Sequence, residues 1–169
     1  MQDPAARHPF TDADEIFRGE IPSRLDRRAA MVEEVLARLE AAGCRPDPFF
    51  DQIVLDEAIT NAIIHGNRED PSRKVSVRAF RRAGRWGIEV RDEGEGFPWR
   101  ARLDEAAEPG SITGPSGRGL ALIQASGAEL YFLDGGRCVV IVRGGGAPGE
   151  AAGGGRSANQ TERPPRDQT

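Results

Sequence analysis

The stretch Asp56-Glu57-Ala58-Ile59-Thr60-Asn61-Ala62-Ile63-Ile64-His65-Gly66-Asn67 constrains the fold more than any other part of the chain. Stepped at about 100° per residue as a helix, it places Glu57, Asn61 and Ile64 in one narrow arc with Phe50 and Val54. A carboxylate and an amide, one turn apart, thus sit inside an apolar stripe. Burying such groups costs free energy unless something pairs with them. Either the protein satisfies them internally or a ligand does. A carboxylate and an amide oxygen facing one cavity suit a water, a hydroxyl or a hard cation such as Mg²⁺. The other faces carry Leu55, Ile59 and Ile63, so this helix is expected at the centre of the protein. Asp47, before Pro48, is its expected N-cap. His65 falls in the last turn, where a cation suits the dipole, and is read as a helix-end residue without chemistry.

The surrounding elements follow from their periodicity. Glu15 to Ile21 reads as a short strand weakened by Gly19. Pro22-Ser23 is expected to open a helix in which Leu25, Ala29, Val32, Val35, Leu36 and Leu39 recur, with Gly43 as C-terminal cap. Its other face carries Arg24, Arg27, Arg28, Glu33, Glu34 and Arg38, a solvated surface or a docking face. Val75, Val77 and Ala79 alternate with Ser76, Arg78 and Phe80, the pattern of a strand with one dry face. A turn at 82–85 joins it to a second strand, in which Trp86, Ile88 and Val90 alternate with Gly87, Glu89 and Arg91. A second hairpin runs from Glu129–Leu133 through Asp134-Gly135-Gly136 to Cys138–Val142. The order is strand, two helices, hairpin, loop, helix, hairpin. It predicts an α/β two-layer sandwich, a mainly antiparallel mixed sheet with helices on one face. Residues 1–12 form a polar, flexible N-terminus, 13–143 the domain, and 144–169 a Gly/Pro-rich tail expected to be disordered.

Two glycine segments follow the hairpin. Asp92-Glu93-Gly94-Glu95-Gly96 comes straight off a strand, where glycines let the backbone approach a ligand and Asp92 can accept from an exocyclic amine. Residues from about 97 to 116 show no period, as in a lid. Gly117-Arg118-Gly119-Leu120 then opens an apolar helix, and free N–H groups at such a turn favour a phosphate.

These motifs, in this order, resemble the GHKL (Bergerat) ATPase fold. Glu57 to Gly66 resembles the N-box of the bacterial anti-sigma factor serine/threonine kinases. Asp92 to Gly96 resembles the adenine-side glycine box, and Gly117 to Leu120 the second glycine box. The resemblance spans roughly residues 14 to 143. It implies that Asn61 ligates the Mg²⁺ bridging the phosphates of ATP, and that Glu57 is the general base toward an incoming hydroxyl. It implies that Asp92 holds the adenine amine, with Gly94 and Gly96 making room. Gly117, Arg118, Gly119 and Leu120 belong to the implied phosphate cradle beneath the lid. The implied activity is phosphorylation of a STAS-type anti-anti-sigma protein, coupled to sequestration of a sigma factor. The docking face would include Arg27 or Arg28, and the implied assembly is a homodimer.

A non-catalytic ATP-binding switch, acting by sequestration alone, is the alternative. A sensor histidine kinase is disfavoured because residues 23–42 carry no histidine to accept phosphate. A gyrase- or chaperone-type ATPase would need further domains. The net charge of -4 argues against direct nucleic-acid binding. No apolar run suggests a membrane span or a signal peptide, and Cys44 and Cys138 match no metal spacing, so a cytoplasmic protein with free thiols is expected. Asn159-Gln160-Thr161 fits a glycosylation sequon by chance.

Overall fold

The computed structural model describes residues 7–96, Pro98 and 127–144. Its strands are β1 (Glu15–Pro22), β2 (Lys74–Arg82), β3 (Arg85–Asp92), β4 (Glu129–Leu133) and β5 (Cys138–Arg143). They form one five-stranded sheet in the order β1-β2-β3-β5-β4, and every pairing among the described strands is antiparallel. The β2–β3 turn uses left-handed backbone at Ala83 (φ 48°) and Gly84 (φ 76°), the geometry that matches the twist of a tight hairpin.

Helices α1 (Arg28–Ala41) and α2 (Phe50–Asn61) cover one face of the sheet. Leu55, Ala58, Ile59 and Ile63 from the second helical segment pack with Val35 and Leu39 of α1 and with Val75, Val77, Ala79, Ile88 and Val90 of the sheet. α1 starts later than the sequence suggests. Pro22 still belongs to β1, the Ser23 amide donates to the Arg73 carbonyl at 2.9 Å, and a single tight turn at Leu25–Arg27 precedes the helix. Pairing to the loop before β2 holds the chain extended past the point where local signals would start a helix. Its end is as expected. Gly43 takes φ 77° and donates to the Glu40 carbonyl, and Cys44 donates to that of Leu39. Asp47 caps α2 by accepting from the Phe49 and Phe50 amides at 2.9 and 2.7 Å.

The opposite face of the sheet is not simply wet. Phe10 lies across it, stacked on Phe80 with ring centroids 5.4 Å apart, beside buried Cys138, Val140 and Val142. Gly87 admits the ring, since a Cβ there would meet Phe10 at 2.5 Å. β2 therefore buries Phe80 on the side that alternation assigned to solvent, and the chain around Phe10, expected within a loose terminus, is part of the packing. Glu89 is held on this face, 2% exposed, by His8 at 2.9 Å and by Arg78 and Arg91.

These contacts set a pH dependence. The hydrogen bond to Glu89 holds His8 more basic than an ordinary histidine, against burial. Burial pushes Glu89 up, but His8, Arg91 and Arg78 outweigh it, so its carboxyl titrates below the usual range. Stabilisation by His8 is complete below the ordinary histidine value and lost as pH rises through the raised one. That by Glu89 is present above the ordinary carboxyl value and lost on acidification. Thermal melts are expected to show Tm falling as pH is raised from the ordinary histidine value through the raised one, and His8→Ala should flatten that part of the profile.

Candidate functional site

α2 carries its two polar side chains inward. Asn61 is 1% exposed and Glu57 9%, and the Asn61 Nδ2 donates to Glu57 Oε1 at 3.1 Å. The sequence arc is thus kept from Val54 to Asn61, while Phe50, at the first turn, is exposed. Burial pushes the Glu57 carboxyl up, and Asp56 adds to the shift; the Asn61 amide and the Arg28 guanidinium oppose it, and the net direction is up. A carboxylate made more basic and held by one bond is suited to take a proton. Asn61 gives its amide hydrogen to Glu57, which leaves its oxygen as the atom of the right hardness for a Mg²⁺ ion. Arg28 reaches from α1 to Asp56 at 2.6 Å and to the Thr60 hydroxyl at 3.0 Å, so it braces this helix; Arg27 stays at the surface beside Asp26.

α2 does not stop cleanly. Its last turn widens at Ala62–Gly66, where the Asn67 amide donates back to the Ala62 carbonyl at 2.8 Å. Such widened turns recur at functional sites. The widening brings Gly66 against the end of β3. A Cβ on Gly66 would sit 2.3 Å from Asp92 Cγ, and one on Gly94 would sit 1.9 Å from the Gly66 carbonyl oxygen. Gly96 is wedged on the other side. It takes φ 103°, and its Cβ would meet the Gly135 carbonyl oxygen at 2.2 Å.

Asp92 is 6% exposed and accepts from the Gly94 amide at 2.8 Å. Burial raises its carboxyl above the ordinary range, although the Gly94 bond and Arg137 pull it down. A buried acceptor fixed by its own loop is suited to a neutral amine donor such as the exocyclic amine of adenine. The glycines around it are packed so closely that a side chain at Gly66, Gly94 or Gly96 would collide with the neighbouring segment, so the backbone here stays close to the Asp92 carboxylate. The structure therefore brings Glu57, Asn61, Asp92, Gly94 and Gly96 to one end of the central helix and strand. The expected lid at 97–116, Pro98 apart, and Gly117, Arg118, Gly119 and Leu120 lie outside the described residues.

The sequence model for the histidine kinase-like ATPase domain matches residues 21–143. The chain belongs to the histidine kinase-like ATPase family. Among family relatives it is similar to the anti-sigma F factor of Geobacillus kaustophilus (strain HTA426), 36% identical over 102 residues, which is 54% of this chain and 68% of that protein. Similarity to the anti-sigma F factor of Oceanobacillus iheyensis is 34% over 102 residues, again 54% of this chain and 68% of that protein. For the one from Heyndrickxia coagulans it is 40% over 90 residues, 48% of this chain and 59% of that protein. As a family member the chain carries an ATP-binding domain of the histidine kinase-like type.

Sequence reasoning assigned no role to Asn67. It is fully buried at 0% exposure and bonds to two separate segments of the site. The signal was a polar residue directly after His65-Gly66, where a helix-ending loop would otherwise be solvated.

Proposed function

We propose that the protein is an ATP-dependent serine/threonine kinase that acts as an anti-sigma factor. The reading is carried by the buried Glu57–Asn61 pair, with a carboxyl made more basic than usual, inside a family whose relatives here are anti-sigma F factors. ATP is the phosphate donor. The Asp92 carboxylate accepts from the adenine amine, and Gly94 and Gly96 leave room beside it. Asn61 would hold a Mg²⁺ ion, which would supply charge neutralisation for the phosphates. Glu57 orients the incoming hydroxyl and accepts its proton. Gly117, Arg118, Gly119 and Leu120 cradle the phosphates under the lid.

The acceptor is a serine or threonine on a STAS-type anti-anti-sigma protein, and the second partner is a sigma factor docked at the surface that includes Arg27. The protein works as a homodimer in the cytoplasm. No described helix is long and apolar enough to cross a membrane. A direct test mixes the protein with purified STAS antagonists from its own genome, Mg²⁺ and ATP labelled on the terminal phosphate. Label is expected on one antagonist. Label on none, while ATP is bound, would leave the sequestering switch as the better reading. Because Glu57 must be deprotonated to act, the transfer rate should rise with pH through the titration of a single carboxyl.

A further inference from the structure

Asn67 closes a ring of three hydrogen bonds that joins the three segments meeting at the site. Its Nδ2 donates to the Lys74 carbonyl at 2.9 Å. The Lys74 amide donates to the Glu93 Oε2 at 2.7 Å. The Glu93 amide donates to the Asn67 Oδ1 at 2.8 Å. Lys74 begins β2, Glu93 follows the end of β3, and Asn67 follows the widened turn of the central helix. An amide side chain suits this, because it offers one donor and one acceptor from the same planar group.

The ring lies one residue from each reading group. Asp92 precedes Glu93, and its carboxylate rests on Gly66, which precedes Asn67. The Gly94 amide that holds Asp92 belongs to the peptide unit just beyond Glu93. Fixing the Glu93 amide therefore fixes both the backbone that carries Asp92 and the bond that aims it. Residue 67 itself touches neither a nucleotide nor the reacting atoms, being wholly buried.

We infer that Asn67 is a positioning residue for base selectivity: its ring holds the Asp92 carboxylate where it meets an amino purine and repels a keto one. This inference rests on the nucleotide reading of the site. A carboxylate accepts from the amine of adenine but faces the carbonyl oxygen of guanine, acceptor against acceptor. Discrimination of that kind depends on a rigid acceptor, since a loosened one can swing away from the guanine oxygen. The loop must consequently be held by something other than Asp92; Asn67 reaches across to it from a buried position, whereas the Arg68–Glu95 pair that also reaches it is exposed to solvent.

The test compares binding of Mg-ATP and Mg-GTP by the full chain and by Asn67→Ala, at equal folded fraction. The wild type is expected to prefer ATP, and Asn67→Ala should lower the ATP:GTP preference about tenfold, the weight of one buried bond. A purely structural role would weaken both nucleotides in parallel and leave the ratio alone, which would overturn the inference. Should the wild type bind no ATP at all, the nucleotide reading itself fails. If Asn67→Ala does not fold, amide exchange on the wild type decides. The Glu93 amide should exchange about tenfold or more slowly than an open-loop amide, and ATP should slow it further than GTP does. Fast exchange at Glu93, or equal slowing by the two nucleotides, overturns the inference.

Discussion

Glu57→Gln should abolish phosphoryl transfer while leaving ATP bound. The substitution keeps the shape of the side chain and an oxygen that can still accept from Asn61, so the 3.1 Å bond within the helix survives. What is removed is the capacity to take a proton. Loss of a general base costs about 10²- to 10⁴-fold in rate, and single-turnover transfer to the antagonist should fall by that much. ATP affinity should change by no more than about threefold, because the lost group acts in the transition state rather than in nucleotide binding. Burial raises the carboxyl of Glu57, so a neutral replacement also relieves a desolvation cost. The variant should therefore melt no lower than the wild type. Full transfer activity in Glu57→Gln would remove the base from the account. Loss of transfer together with loss of ATP binding would assign Glu57 to holding the nucleotide.

Gly94→Ala should cost the most in stability of any single methyl added to the site. The new Cβ would fall 1.9 Å from the Gly66 carbonyl oxygen, a backbone atom with no rotamer to yield. The loop after β3 would have to part from the end of the central helix, breaking the Asp92–Gly94 bond as it moved. Overpacking of this severity costs about 3 kcal/mol, or about 10 °C in Tm for a chain of this size. ATP binding should be lost with it, since the loop that carries and aims Asp92 would be displaced. Gly84→Ala is the control: its Cβ would meet nothing within 4 Å, and only its φ of 76° opposes the change. That cost is about 1 kcal/mol and should spare nucleotide binding. A Gly94→Ala protein that melts like the wild type and binds ATP would show that the two loops do not interlock.

The contrast between these glycines shows what the sequence could and could not reveal. Gly84 sits in a turn between two segments whose sequences alternate, so local pattern was enough to place the hairpin. Gly94 was legible as a glycine beside an acidic residue, but its contact with Gly66 joins segments far apart in sequence and follows from no local period. The widened turn at Ala62–Gly66 is equally hidden, because its residues read as one more helical turn. Glu57 and Asn61 were legible because a carboxylate and an amide interrupt an apolar arc at one-turn spacing. Glu89 was assigned to the open face of β3 and is buried there, since His8, Arg78 and Arg91 come to it from three other positions in the chain. Phe10 escaped notice for the same reason: a lone aromatic in a polar terminus shows nothing of the sheet it covers. Periodicity records what each segment buries, and it is silent about which segment buries it.

The central claim is that the end of α2 and the loop after β3 together form a site for Mg-ATP. Isothermal titration of the full chain with Mg-ATP, repeated with Asp92→Asn, tests it most directly. Saturable heat is expected at one site per chain, with about a hundredfold loss of affinity in the variant, which would present the adenine amine with an amide in place of a carboxylate. Binding of Mg-ATP that is indifferent to Asp92, or no binding by the wild type, would contradict it.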